Sequence, residues 1–404
     1  MRIADLEITN FRSFKSLSLI PGKRLTLLLG ENGAGKTNIL DGIAVGLGAV
    51  ATLLPEVKGI SFKKDDLRQV KNEKAPFTRV KLTTEDGIVW DRTERKNKLP
   101  RRLLKNTRAV GLSNLKSYLE DLYEQLEMDQ NEIDLPLFAY YGVSRAVMDV
   151  PLSRKGFPKN YHRYQALQGA LEADIRFRAA FKWFYAKEQE ELRLQRDKKN
   201  FEVYLPELQV VRMAIEQTFP GISNPQIETN PLRLVVEENG ENLNITQLSD
   251  GYKTMLALII DLASRMALAN PHLGEGALKS KAMVMIDEID LHLHPEWQRR
   301  VVSDLLRVFP NAQFFLTTHS PYIVESINNL LQQGHSYDKD KHKATQADLF
   351  AESAILEPRD IAAYLISEQE LTSMMDEELG LLDNSLLDTF NNISEDFAKL
   401  QADN

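Results

Sequence analysis

The chain has 404 residues, 43% of them apolar and 27% charged, with a net charge of −8 and no cysteine. That length and balance describe a globular protein with room for two or three lobes, and the missing cysteines exclude disulfides and thiolate metal sites, which suits a reducing cytoplasm. No apolar run approaches the length of a membrane span, no signal-peptide core stands at the amino terminus, and the negative charge argues against a generally basic protein that coats nucleic acid.

Met1 to Leu29 reads as two strands, with Ile3, Leu6 and Ile8 leading into Asn10-Phe11-Arg12-Ser13-Phe14, and Leu25 to Leu29 following a turn at Pro21-Gly22. Gly30 to Thr37 then reads GENGAGKT, which fits G-x-x-x-x-G-K-[ST] between a buried strand and a helix predicted over Thr37 to Leu54. Glycines in such a loop let backbone N–H groups close around phosphate oxygens, and the helix start adds its positive end. Asn32, Gly33, Ala34, Gly35, Lys36, Thr37 and Asn38 are the predicted contacts, with Lys36 reaching the β- and γ-phosphates of ATP and Thr37 holding Mg²⁺.

Short β segments follow from Ile60 to Val89, and residues 91–108 carry eight basic and two acidic side chains. That run reads as a solvated face, or as a contact for nucleic acid or an acidic partner, and it lacks interleaved aromatics for stacking bases. Leu137 to Tyr141 is a buried strand. Tyr161 to about Lys199 is a long helical stretch whose aromatic stripe is packing and whose charged end, from Lys187, is an exposed arm. Pro220 to Asn230 is a breaker-rich connection, and a hairpin turns at Asn239-Gly240.

Leu248 to Lys253 opens an apolar helix to about Ala269. Met283 to Ile286 is a strand ending in Asp287-Glu288, and Phe314 to Thr317 is another ending near His319, with a crossover helix over Trp297 to Val308. Alternating strands and helices imply a largely parallel sheet. At a strand end, Asp287 can orient Mg²⁺ through water and Glu288 can polarise the attacking water. His292 and His294 suggest a metal pair when taken alone. Residues 332–348 read as a polar loop, and Ser367 to Asn404, with ten acidic residues against one lysine, as an acidic helical tail.

The strand IxxFRSF with GENGAGKTNIL, LSDGYK, VMIDEIDLHLHPEWQ and FFLTTHSP, in that order, resembles the ABC-type ATPases of the SMC, RecF and overcoming-lysogenisation kind. The resemblance implies an α/β fold: a P-loop ATPase head with a mixed or parallel sheet core, an N-terminal antiparallel β portion and an inserted helical lobe. It divides the chain into an N-terminal half of the head (1–150), a helical lobe (151–230), a C-terminal half of the head (231–330) and a loop with the acidic tail (331–404). It also implies that Ser249 and Gly251 contact the γ-phosphate held by another subunit and that Glu288 is the catalytic base. Asp290 would lie in the loop crossing the dimer, and His319 would be the switch histidine. Arg12 and Ser13 match the position that touches nucleotide, and Arg145 takes a nucleotide or lobe-coupling role where the family has a glutamine. The two histidines near Pro295 become loop and packing residues.

The compact lobe and short acidic end look most like the stand-alone ATPases of the Septu, retron and PARIS anti-phage systems, which work beside a separately encoded HNH or Toprim nuclease or a toxin. After Val324 no strand-placed set of nuclease carboxylates is evident. The resemblance therefore implies a cytoplasmic, nucleotide-gated homodimer or larger assembly controlling an effector. A RecF-like DNA-repair clamp and a nucleotide-holding scaffold without turnover are the alternatives.

Overall fold

The computed structural model describes residues 1–71, 73–96, 110–128, 133–146, 151, 154–155, 157–158, 160–173, 177–336, 355–376 and 378–383. The strands β1 (Ile3–Phe11) and β2 (Phe14–Leu19) form a hairpin that buries only part of each strand, while β3 (Leu25–Leu29) is buried at every residue. The helix α1 (Lys36–Leu53) follows the glycine loop. After the two-residue strands β4 (Gln69–Val70) and β5 (Glu73–Lys74), the strands β6 (Phe77–Thr84) and β7 (Val89–Arg95) complete an antiparallel sheet in the order β2-β1-β6-β7. This sheet rides on α1 through Gly42 and Gly46, where an added Cβ would lie 2.7 Å from Ile8 and 2.5 Å from Leu82.

Next come α2 (Ser113–Glu127) and the fully buried β8 (Leu137–Tyr141). The predicted long helix begins later than its periodicity suggests, with a 3-10 turn at Arg163–Leu167 preceding α3 (Phe177–Lys198). Its charged end is no exposed arm. Glu188, Glu191 and Gln195 are buried, and Glu191 accepts from the Leu205 amide (2.7 Å) and pairs with Arg212 (2.8 Å) on α4 (Pro206–Thr218). The 220–230 connection is instead a strand, β9 (Ile222–Thr229), at the edge of a three-stranded sheet with β10 (Leu232–Glu238) and β11 (Glu241–Asn244). An edge tolerates Pro225, which has no ladder donor to lose.

The helix α5 (Asp250–Ala269) leads to β12 (Ala282–Ile286), the short α6 (Pro295–Gln298), α7 (Val301–Val308), β13 (Ala312–Thr318) and α8 (Pro321–Ser336). Residues 332–336 thus extend a helix, and the rest of the predicted polar loop lies outside the described residues. The acidic end is also corrected: β14 (Ile361–Ser367) and β15 (Glu370–Ser373) are strands, followed by the small hairpin of β16 (Met375–Asp376) and β17 (Leu381–Leu382), while 384–404 lie outside the described residues.

The central sheet has the order β15-β14-β3-β13-β12-β8, parallel except for β15. Its strands LTLLL, LFAYY, AMVMI and AQFFLTT are buried throughout, as parallel strands covered on both faces require. Among the described residues, no helix is long and apolar enough to cross a membrane.

Candidate functional site

Parallel strands place all their carboxyl ends on one edge, and there the loops after β3, β13, β12 and β8 converge. In the phosphate loop Gly33 and Gly35 take φ of 83° and 110°, conformations that side chains resist, and an added Cβ on Gly33 would meet nothing within 4 Å. Among the described residues no side chain caps the start of α1, which leaves its first N–H groups available to an anion. Lys36 folds back over this loop, its Nζ donating to the carbonyls of Gly30 (2.6 Å) and Glu31 (3.0 Å). Burial lowers its pKa, and the nearby carboxylates of Glu288, Asp287 and Asp290 oppose that shift.

Thr37 Oγ1 donates to Asp287 Oδ2 (2.8 Å), joining positions 250 residues apart. The other oxygen of Asp287 accepts from Thr317 Oγ1 (2.6 Å). A hydroxyl and an aligned carboxylate are the hard oxygen donors Mg²⁺ takes, so Thr37 and Asp287 fit that ion. The Glu288 backbone has φ of 49°, and its N–H donates to the same Thr317 Oγ1 (2.7 Å). Left-handed backbone in a glutamate costs energy and persists where neighbours enforce it, a frequent mark of functional sites.

Asp290 turns inward. It is buried, accepts from Thr318 Oγ1 and lies 3.4 Å from His319 Nδ1, so it orients the histidine of its own chain. The His319 side chain is 54% exposed at the same edge.

Arg12 and Ser13 sit against the beginning of α1. Arg12 bonds Asp66 (2.8 Å), Asn38 (3.1 Å) and Asp41, and Asn38 donates to Ser13 Oγ (3.0 Å). Burial disfavours the Arg12 charge, but Asp41 and Asp66 outweigh it and raise its pKa. Tyr140 donates to Asp41 (2.9 Å) and so ties β8 to α1. Sequence reading missed Asp41, Asp66, Tyr140, Thr317 and Thr318; only the two threonines carried a signal, by preceding His319. Arg145 falls in the 3-10 turn Val143–Ala146 after β8, and nothing further is described of it.

The helix start at Ser249 differs in kind. Ser249 is exposed and caps α5, its Oγ accepting from the Tyr252 N–H (3.5 Å). An added Cβ on Gly251 would meet the His292 carbonyl oxygen at 2.6 Å, so only glycine lets α5 come this close. Tyr252 meets Trp297 edge-on with centroids 4.7 Å apart, and Phe219 packs on both rings. Farther along, Asp261 accepts from Tyr141 Oη (2.9 Å) on β8. The strand β8 lies three positions from β3, on the order of 14 Å across the sheet.

His294 caps α6 by accepting from the Glu296 N–H (3.4 Å), and among the described residues no cluster of three or more histidine or carboxylate side chains could hold a metal ion. The predicted basic run begins with structural pairs: Arg92 donates to the carbonyls of Val45 (2.8 Å) and Ile60 (2.5 Å). Its remainder, 97–108, lies outside the described residues.

The family described as "AAA domain, putative AbiEii toxin, Type IV TA system" matches residues 25–325. The chain is 28% identical to a retron Ec83 probable ATPase from Escherichia coli, over 84% of this chain and 73% of that one. It is 26% identical to a retron Vc95 probable ATPase from Vibrio cholerae serotype O1 biovar El Tor, over 81% and 72%. An SMC head bound to the C-winged helix domain of ScpA aligns over 94% of this chain and 99% of that chain, at 16% identity and a TM-score of 0.44.

Proposed function

Because the chain belongs to the AAA-domain family matched by its residues 25–325, we propose that it is an ATP-hydrolysing subunit of an anti-phage defence complex. In this reading it dimerises around ATP and controls a separately encoded effector nuclease. One observation carries it: the lysine loop and the carboxylate pair share one sheet edge within the chain, while Ser249 caps an exposed helix start beside His292. A second protomer that brings Ser249 and Gly251 to the lysine loop would complete the triphosphate cage.

In such a site Lys36 and the loop amides bind the phosphates, and Thr37 with Asp287 holds Mg²⁺, which neutralises phosphate charge when bound. Glu288 takes the proton of the attacking water, and Asp290 orients His319 toward the same edge. Asp290 thereby acts from within its own subunit, and Arg12 with Ser13 braces α1 below the loop. Turnover is slow and regulatory, and cleavage of nucleic acid belongs to the partner.

Sedimentation of the wild type and of Glu288→Gln with ATP and Mg²⁺ tests the shared site. Dimers stabilised by ATP and strengthened by Glu288→Gln support it, and monomers under both conditions refute it. Co-purification with the product of an adjacent nuclease gene tests the effector assignment.

A RecF-like DNA-binding reading draws on a basic hollow at the N-terminal sheet, lined by Lys63, Lys64, Lys74, Arg95 and Lys96. It predicts salt-sensitive DNA affinity that falls on charge reversal of Lys63 and Lys64.

A further inference from the structure

A second hollow lies away from the nucleotide loops, between α3, α5 and the turn at Arg163–Leu167. Its volume is about 180 Å³, and Ala180 and Leu268 give it apolar walls. Among the described residues, three buried polar atoms on its lining side chains have no hydrogen-bond partner: the Tyr161 hydroxyl, the Trp183 indole N–H and the Ser264 hydroxyl. Ser264 is 5% exposed and Trp183 2%. Folded proteins rarely leave one such group unpaired, because each forfeits its bonds to water on burial. Three around a single space mark a place shaped for an occupant.

The chemistry of the lining narrows that occupant. An indole N–H can only donate, so the ligand must offer an acceptor, whereas the two hydroxyls can serve either role. The wall's buried ions satisfy each other: Arg265 pairs with Asp261 (2.7 Å) and donates to the Ala166 carbonyl (2.6 Å). Half-buried Lys182 stands over the Phe157 ring, 5.5 Å from its centroid. A cation would find no free carboxylate on the wall, and an anion only the half-buried Lys182 that already covers Phe157, so a neutral ligand loses least on desolvation. Tyr161, Trp183 and Leu268 also line a neighbouring space of about 340 Å³ with Asn160, Lys187, Glu190 and Glu207; Lys187 pairs with both glutamates (3.1 and 2.9 Å), whose remaining oxygens can accept from sugar hydroxyls.

We infer that this is a binding site for a nucleoside, with the neutral base among Tyr161, Trp183 and Ser264 and the ribose over the polar neighbouring space. It is separate from the triphosphate site, from which it differs in a largely apolar wall whose Asp261 and Arg265 pair with each other.

The test titrates the four ribonucleosides into the full chain carrying Lys36→Ala, which weakens the phosphate loop as a competing site, and reads melting temperature and tryptophan emission. At least one nucleoside raises the melting temperature and changes the emission saturably. Ser264→Ala combined with Tyr161→Phe weakens that response at least tenfold, yet leaves the ligand-free melting temperature undiminished, since those hydroxyls have no partner among the described residues. No response to any nucleoside at millimolar concentration overturns the site. So does an equal response to toluene, which has the ring without acceptors, or an undiminished response in the double variant. A response to a single-stranded oligonucleotide without one to free nucleosides overturns it as well.

Discussion

The lysine-loop edge and the Ser249 helix start are both anion-ready backbone, yet the chain treats them in opposite ways. Around the loop, Lys36 bonds the loop's own carbonyls and Thr37, Asp287 and Thr317 are joined by side-chain bonds, and most of these residues are buried. Around Ser249 the surface is open, while the helix behind it is fixed by the Tyr252–Trp297–Phe219 cluster and by the close contact of Gly251 with His292. A rigid but exposed helix start is pre-ordered for a ligand delivered from outside, so docking it costs little further ordering. On the proposed shared site, the chain builds one half to completion and the other half only to readiness.

The largest expected effect comes from the completed half. Glu288→Gln removes the general base while keeping shape, and ATP turnover should fall by about 10²- to 10⁴-fold with ATP binding retained. Phosphate release at saturating ATP measures it; unchanged turnover would remove Glu288 from the chemistry.

Complementation probes the comparison directly. Lys36→Ala and Ser249→Arg should each be inactive alone. Mixed in equal amounts they form heterodimers in half of the pairs, each with one intact composite site, so activity should return to about a quarter of wild type. No recovery would mean that the two elements serve separate sites.

Thr317→Val keeps the strand but removes both the donor to Asp287 and the acceptor for the Glu288 N–H. Each lost bond in a partly buried site is worth about 1 kcal/mol, so the two together should lower turnover roughly thirtyfold, with a higher Mg²⁺ requirement. An unchanged magnesium dependence would show that Asp287 does not rely on this strand end.

These residues also show what could be read in advance. The glycine loop, the Asp287-Glu288 strand end and the Ser249 cap were legible because each chemistry is local and demands particular residues at fixed spacing. Thr317, Asp41 and Asp66 were not, because their roles come from bonds made across 29 to 99 positions. Strand β14 pairs in parallel with β3, with Ile361 beside Leu25, and IAAYLIS carries no trace of that partner. The same blindness made α3 look like an exposed arm, since the groups that accept its charged face lie on α4 and β9.

That charged face yields the smallest effect. Glu188 accepts from the Ile227 N–H (2.9 Å), and burial, with Arg212 and that bond opposing, pushes its carboxyl pKa up to about 7 from 4.5. Between these values the folded chain holds a proton that the unfolded chain has released. Stability therefore falls as pH rises through that window, and the penalty is complete above about pH 7 and absent below 4.5. A difference of about 2.5 pH units bounds the penalty at roughly 3 kcal/mol. Glu188→Gln keeps an acceptor for Ile227 without a charge, so its melting temperature should gain on wild type by a few degrees (~2–5 °C) between pH 5 and pH 8. A pH-independent difference would show that the carboxyl stays ionised in the folded lobe, and that the face behind the exposed half of the site is held by charge pairing and not by a buried neutral bond.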